Sequence, residues 1–313
     1  MDLTIYKIRV LIANKFKIWA TEKNIDKWEH SKNIKWLSRM LMDVRADIRW
    51  RAAVALYAID WQPKNNKEKA AYLAANLEFE EIDQLGVPAI KSLMLVLHDK
   101  ESSSSHASVI KALGKIGNKR AVPMLIYMLK NGENYFGVQM AAIEALEKIK
   151  DKRAILPLID EFKYGASESR YQAVIKALSV FGTKAIVPLI DALRYKGIYT
   201  NINRCAALTL GEIGGTKVIA PIVQRLYDSI EDRLNDSNYS LIFVAPYYIE
   251  ALKKVGEPAV ETLLNILNDE KLQKTDIHQL IINALKEISF KVQDNKNLID
   301  IIEKFESAPI FRD

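Results

Sequence analysis

Residues that commonly hold metals are few in this sequence. Its four histidines are spread along the chain at His30, His98, His106 and His278, and Cys205 is the only cysteine. A protein metal site usually takes three or four ligands, and no further histidine or cysteine completes a set around His98 and His106. We therefore predict no metal site and expect the histidines to lie at helix ends.

Nucleophilic and phosphate-binding motifs are also incomplete. Cys205 stands among small apolar residues in RCAALTL, which is typical of a buried structural thiol. The serines at 102–105 resemble a polar turn before a helix, and the sequence has no G-x-S-x-G motif. The glycines of GEIGG (211–215) lack the Lys-Ser/Thr that follows them in a phosphate-binding loop. We predict no catalytic residue and no cofactor.

Nucleic-acid contact is a chemistry that the N-terminal region could support. Residues 1–61 hold twelve Lys or Arg against seven Asp or Glu, together with all five tryptophans of the chain. Arginine can meet phosphates while tryptophan stacks on a base. Asp43 and Asp47 interleave with the arginines, however, and ion pairs along the helix would produce an ordinary solvated surface. The candidate nucleic-acid contacts are Arg45, Arg49, Trp50 and Arg51.

The single cysteine excludes a disulfide within one chain, which predicts a reducing, cytoplasmic location. The N-terminal apolar run is interrupted by Lys7 and Arg9, unlike a secretory signal. No window approaches the roughly 18 uncharged apolar residues of a membrane span, so we predict no transmembrane segment.

The N-terminal residues 3–19 form an amphipathic pattern. A helix here would place its large apolar residues on one face and its lysines off that face. Such a segment fits either a cap on the first repeat or an interfacial membrane helix. The apolar residues are Ile5, Ile8, Ile12, Phe16 and Trp19.

The elements that position these residues repeat along the chain. A motif of the form Ala-Leu-x-x-Ile-Gly recurs, and a proline marks the second half of each unit at steps of 31 to 37 residues. Repeats of this length indicate stacked pairs of helices, A and B. The leucine markers of helix B are Leu56, Leu113, Leu146, Leu178, Leu210, Leu252 and Leu285. The proline markers of helix A are Pro88, Pro123, Pro157, Pro188, Pro221 and Pro258.

Helical periodicity within a unit supports this interpretation. Ala142, Ala145, Leu146 and Ile149 fall on one helical face, whose alanines allow a neighbouring helix to approach closely. Glycine after this face suits a left-handed cap, and proline suits the first turn of the next helix. We predict an all-α fold, an α-solenoid with a right-handed superhelix of about seven helix pairs.

The units resemble HEAT repeats, specifically the short HEAT-like repeats named after phycobilisome lyases. DVRADIRWRAAVALYAID (43–60) is most similar to the family pattern of an Asp, a hydrophobic-Arg pair and Ala-Ala-x-Ala-Leu. The resemblance implies the fold strongly and the function weakly. Relatives include scaffolds, chromophore lyases, a deoxyhypusine hydroxylase and, more distantly, DNA glycosylases. The hydroxylase uses paired His-Glu dipeptides, and this chain contains none.

The domain boundaries follow from the markers. We expect an N-terminal cap over 1–33, a repeat array over 34–289 and a C-terminal cap over 290–313, where Ile301, Ile302 and Phe305 face inward. Two of the intervals between successive leucine markers are longer than the others and interrupt the array. The first is an insertion at 61–86, where residues 67–85 form either an extra helix or a lengthened helix A that wraps the repeat, and the second is an enlarged A–B connection at 227–244.

The aligned repeats predict a candidate binding strip at the A–B turns. The resemblance implies a ladder of Asp and Arg pairs there, of which only the first repeat keeps both, Asp43 and Arg49. Tyrosine and amide side chains replace them in the central repeats and could contact a partner, or could pack along the edge of the stack. The predicted strip consists of Asn131, Gln139, Tyr164, Tyr171, Tyr195 and Asn203.

From these features we predict a non-enzymatic scaffold that binds a protein along its concave face and A–B turns. Nucleic-acid binding through the Trp-rich N-terminal region is the first alternative. A phycobilin-lyase-like role is the second, and it is implied by the resemblance alone.

Overall fold

A computed structural model describes residues 22–99, 103–131, 136–163, 167–195, 200–235, 244–269, 276–291 and 296–307. These residues form α-helices joined by short turns, several of them 3₁₀, and no strand occurs among them. The amphipathic segment 3–19 lies outside the described residues. The chain divides into two compact units between Ala154 and Ile155.

The first unit contains eight described helices. They are α1 (Glu22–His30), α2 (Ile34–Met40), α3 (Ala46–Ala58), α4 (Asn66–Ala75), α5 (Ile90–Leu97), α6 (His106–Ile116), α7 (Val122–Asn131) and α8 (Phe136–Ile149).

The second unit contains nine described helices. They are α9 (Ile155–Asp160), α10 (Glu168–Ser179), α11 (Thr183–Leu193), α12 (Thr200–Ile213), α13 (Ile219–Asn235), α14 (Ala245–Val255), α15 (Val260–Leu267), α16 (Asp276–Lys291) and α17 (Lys296–Ser307).

Consecutive A and B helices pack as pairs, and B helices pack on one another along each unit. The pairs are α2/α3, α5/α6 and α7/α8 in the first unit, and α9/α10, α11/α12, α13/α14 and α15/α16 in the second. Every leucine marker of helix B is buried in the core. The predicted all-α solenoid of helix pairs is therefore confirmed, because each pair buries against a neighbour the apolar faces that it could not bury alone.

Two glycines let B helices approach closely. A Cβ built on Gly114 of α6 would lie 2.8 Å from both Cα and Cβ of Ala145 in α8. A Cβ on Gly211 of α12 would lie 2.6 Å from the carbonyl oxygen of Ala251 in α14. Both positions directly follow a leucine marker, so this site faces the next B helix of the stack.

The insertion differs from its prediction. The extra helix α4 ends at Ala75 rather than at 85, since Asn76 caps it and Leu77 turns the chain with a positive φ of 61°. The 3₁₀ turn Ile82–Leu85 follows and packs against α6. In the second long step, α13 continues to Asn235, and residues 236–243 lie outside the described part.

The final helix, α17, lies within the predicted C-terminal cap. Ile302 is buried as predicted, and Leu298 is buried with it. Ile301 was predicted to face inward but is exposed, because a residue next to Ile302 points away from the same helical face.

No described helix has both the length and the apolar character needed to span a bilayer.

Candidate interaction surface

The B-helix position seven residues before the leucine marker caps the preceding A helix. Asn203 Nδ2 donates to the carbonyl oxygens of Leu193 at 2.6 Å and Tyr195 at 3.0 Å. Gln139 Nε2 lies 3.5 Å from the carbonyl oxygen of Leu129. The last carbonyls of a helix lack partners within it, and these amides supply donors. Asn203 and Gln139 are consequently buried.

Tyr171 occupies the same repeat position and is also buried. Its ring lies 6.3 Å from that of Phe162, and the guanidinium of Arg204 sits 5.5 Å from its centroid. Asn201 Nδ2 donates to its hydroxyl oxygen at 3.2 Å. The Tyr171 ring therefore packs from α10 against Phe162 and the first turns of α12.

The other members of the predicted strip have different surroundings. Tyr195 is 37% exposed at the end of α11. Asn131 is exposed at the end of α7, where its Nδ2 donates to the carbonyl oxygen of Tyr127 at 2.8 Å. Tyr164 lies outside the described residues. Among the described members of the strip, Tyr195 and Asn131 are the two that solvent reaches.

The arginines proposed to contact nucleic acid are largely engaged within the protein. Arg45 Nε pairs with Asp43 Oδ1 at 2.9 Å, and hydrogen bonding to this carboxylate raises the pKa of Arg45. Arg49 is buried and pairs with Asp99, while burial lowers its pKa. Arg51 is half-buried, and Trp50 is exposed. Of these four side chains, Trp50 alone is largely open to solvent.

Trp50 belongs to an exposed apolar stripe on α3. Trp50, Val54 and Tyr57 are 55%, 44% and 75% exposed. Their spacing of i, i+4 and i+7 places them on one face of the helix. We call this set the α3 stripe.

Equivalent positions in the other B helices carry mainly polar or small residues. The residues aligned with Val54, two before each leucine marker, include Lys111, Glu144, Lys176 and Glu250. Leu208 of α12 is the apolar exception, and it is buried. The first repeat thus combines apolar character with exposure at this position, unlike the repeats that follow it.

The exposure of Tyr57 follows from the insertion. Tyr57 directly follows its leucine marker, the position that Gly114 and Gly211 use to contact the next B helix. In the first repeat, α3 packs against the inserted helix α4. We interpret the exposure of Tyr57 as a consequence, because α4 rather than a closely approaching B helix packs against α3 in this repeat.

Ion pairs between repeats lie along the B helices of the second unit. Arg204 of α12 pairs with Glu168 of α10 at 2.9 Å. Lys254 of α14 pairs with Glu212 of α12, and Lys253 pairs with Glu287 of α16 at 3.1 Å. These B helices therefore present charged rather than apolar side chains to their neighbours.

Metal-binding geometry is absent from the described residues, where no group of three or more His, Cys, Asp or Glu is arranged to hold an ion. His106 donates through Nε2 to the carbonyl oxygen of Asp99 at 2.9 Å, which is the same capping role as that of Asn203. His278 is buried, and desolvation lowers its pKa.

The repeats of this chain are similar to those of known proteins. Residues 90–179, from α5 to α10, match the model of HEAT repeats. No curated protein matches the chain significantly. The CpcE–CpcF complex of phycocyanin lyase from Nostoc sp. PCC7120 is similar in structure at 20% identity and a TM-score of 0.33, over 88% of this chain and 94% of that chain. Human deoxyhypusine hydroxylase is similar at 14% identity and a TM-score of 0.29, over 83% and 96%.

Proposed function

Since this chain is a HEAT-repeat protein, we propose that it is a non-enzymatic scaffold that binds a protein partner through the α3 stripe. The observation that carries this proposal is the exposure of Trp50, Val54 and Tyr57 on one helical face. The wider scaffold role agrees with the repeat fold, whose rigid stacked helices present extended surfaces.

The composition of the stripe suits a protein interface. Tryptophan and tyrosine are enriched among the residues that dominate binding energy, since each buries a large area and loses few rotatable bonds. Large contiguous apolar patches on a protein surface often mark binding sites. The i, i+4, i+7 spacing matches the way in which one helix presents anchors to another.

The rival nucleic-acid function through Arg45, Arg49, Trp50 and Arg51 has weaker support. Phosphate contact requires accessible cations, and Arg49 is buried against Asp99 while Arg45 is held by Asp43. Trp50 could still stack on a base, but apolar Val54 beside it suits a protein side chain better.

The predicted strip at the A–B turns contributes secondary contacts in this proposal. Among the described residues of this strip, Tyr195 and Asn131 are the two that are exposed to solvent. Tyr195 offers aromatic area together with a hydroxyl group, a combination found at many interfaces.

Partner capture tests the proposal. A Trp50→Ala/Tyr57→Ala variant is compared with wild type and with a control, Leu156→Ala/Val187→Ala, which removes exposed apolar area from helices α9 and α11. The expected result is a protein retained by wild type and by the control but lost from the stripe variant. Purified, that protein should bind the stripe variant at least tenfold more weakly. Equal binding to all three would refute the stripe as the binding surface.

A further inference from the structure

A cationic motif occurs at two successive connections from a B helix to the next A helix. Residues 115–120 read KIGNKR and residues 148–153 read KIKDKR, at the same positions relative to their leucine markers. The segment 111–153 holds nine Lys or Arg against four Asp or Glu. Residues 62–110 and 154–313 both hold more acidic than basic residues, so the positive charge beyond the N-terminal region is concentrated in this segment.

The structure places the two motifs side by side in the first unit. Each motif leads into a 3₁₀ turn, Lys119–Ala121 in one case and Lys152–Ala154 in the other. Arg153 Nη2 donates to the carbonyl oxygen of Lys119 at 2.9 Å, which holds the two turns against each other. We define the turn cluster as the exposed cations of both motifs, which are Lys115, Lys119, Arg120, Lys148, Lys150, Lys152 and Arg153.

Most of the turn cluster is available to an external anion. Lys115 pairs with Asp83 at 3.4 Å, and Arg153 pairs with Asp151 at 2.9 Å. The other five cations form no ion pair with any residue in the described ranges. Their positive charges therefore add to one another on two adjoining turns and attract anions to this surface.

Lys150 adopts a backbone conformation that favours glycine. Its φ is 54°, and its N–H donates to the carbonyl oxygen of Leu146 at 3.0 Å at the end of α8. Glycine occupies the equivalent position in four other repeats, as Gly117, Gly182, Gly214 and Gly256. This left-handed conformation is costly for a residue that has a Cβ atom. A lysine kept at a strained position indicates that its charge has a use beyond folding.

Apolar side chains contribute little to the turn cluster. Ile149 is buried, Ile116 is half-buried, and neither motif contains an aromatic residue. The core of a protein interface is depleted of lysine and enriched in aromatic residues, which this surface lacks. Stable attachment to a membrane needs inserted apolar groups as well as cations. Both kinds of partner therefore fit this surface poorly.

A nucleic-acid backbone is an anion that lysine and arginine bind without apolar help. Its phosphates release condensed counterions when cations neutralise them, and this release supplies the affinity. Single strands are held largely by stacking of bases on aromatic rings, whereas a duplex offers its phosphates outward. We propose that the turn cluster binds the phosphate backbone of a nucleic-acid duplex. This proposal is independent of the partner-binding role of the α3 stripe.

Fluorescence anisotropy of a short labelled DNA duplex, titrated with the full chain over a range of salt concentrations, tests the proposal. We expect binding at low salt, with a slope of about −4 for the logarithm of affinity against the logarithm of salt concentration. Lys119→Gln/Lys150→Gln/Lys152→Gln should weaken binding by about tenfold or more and reduce the magnitude of this slope by roughly three.

The matched control is Lys67→Gln/Lys69→Gln/Lys291→Gln, which changes the net charge equally at exposed lysines of α4 and α16. It should keep an affinity close to that of wild type, and circular dichroism should show that both variants are folded. Failure of wild type to bind the duplex, or equal affinity of the two variants, would overturn the proposal. Tighter binding to anionic vesicles or to poly-glutamate than to the duplex would also overturn it, in favour of a membrane or an acidic protein.

Lys150→Gly separates binding from folding. Glycine relieves the left-handed strain, so the variant should unfold at the same temperature as wild type or at a higher one. Loss of one phosphate contact should nevertheless reduce the magnitude of the salt slope by about one. A Lys150→Gly variant that binds the duplex with the wild-type slope would contradict a phosphate contact at this position.

Discussion

Arg49 and Asp99 form an ion pair that joins the first repeat to the second. Arg49 Nη2 lies 3.2 Å from Asp99 Oδ2, and the two side chains are only 3% and 11% exposed. The same guanidinium donates through Nη1 to the carbonyl oxygens of Asp43 and Val44, each at 3.0 Å. Arg49 therefore caps its own A–B turn while it holds the carboxylate of the following repeat.

Removing this guanidinium should destabilise the protein strongly. Arg49→Met removes the guanidinium from this largely buried ion pair, and loss of one member of such a pair costs about 3 kcal/mol. Urea denaturation measures the change, with Lys35→Met as an exposed control that should stay near wild type. Arg49→Met/Asp99→Asn should cost less than the sum of the two single changes. A fully additive double variant would contradict direct coupling.

Close packing of B helices predicts opposite effects for two helical glycines. Gly114→Ala places a methyl group 2.8 Å from Ala145 and should lower the free energy of unfolding by about 1–3 kcal/mol. Gly137→Ala, in α8, meets no atom within 4 Å and should be neutral or stabilise by about 0.5–1 kcal/mol. Thermal unfolding of both variants checks this pair. Equal stability of the two would show that α6 and α8 separate easily.

Cys205 should react slowly in the native protein. It is fully buried, and desolvation raises its pKa to about 11. Because the thiolate is the reactive form, alkylation by iodoacetamide at pH 8 should be at least a hundredfold slower in the native state than in urea. Because desolvation penalises the thiolate, the folded state is expected to lose stability as pH rises from about 9 towards 11. Rapid labelling of folded protein would contradict this burial.

Asp151 should contribute stability that is lost in acid. Hydrogen bonds from Arg153, whose Nη2 also donates to the Lys119 carbonyl oxygen, lower the pKa of Asp151 from 3.8 to about 2. A depressed carboxyl pKa gives stability that is present above about pH 4 and lost as pH falls towards 2. Asp151→Asn should remove on the order of 1–2 kcal/mol at pH 7, less as pH falls. Urea denaturation over a range of pH values measures this effect. A loss of stability in Asp151→Asn that does not change with pH would show that the ionised carboxylate does not stabilise the fold.

The helix pairs could be predicted from the sequence because their signals are local. The marker leucines and the turn glycines recur with the repeat, and Gly117 and Gly214 adopt the left-handed φ of 71° and 72° that a helix cap requires. The end of α4 at Ala75 was missed because Leu77, an apolar residue in an apparently helical pattern, adopts a left-handed turn.

Side-chain partners across elements were harder to predict. Asp43 and Asp47 were expected to pair along the helix, yet Arg49 reaches Asp99, fifty residues away in the chain. The burial of Gln139 and Asn203 depends on carbonyls presented by the preceding helix, which spacing alone does not reveal. The α3 stripe had a usable signal, since Tyr57 is apolar and aromatic where the other repeats carry glycine or a polar residue directly after the leucine marker.

Site-specific photo-crosslinking from Tyr57 tests the central claim, that the α3 stripe binds a protein partner, most directly. A benzophenone amino acid replaces Tyr57 in one variant and Tyr127 in the control, which is 57% exposed on helix α7. We expect one discrete crosslinked protein from position 57 and none from position 127, and Trp50→Ala should weaken that crosslink. No crosslink from position 57, or the same products from both positions, would contradict it.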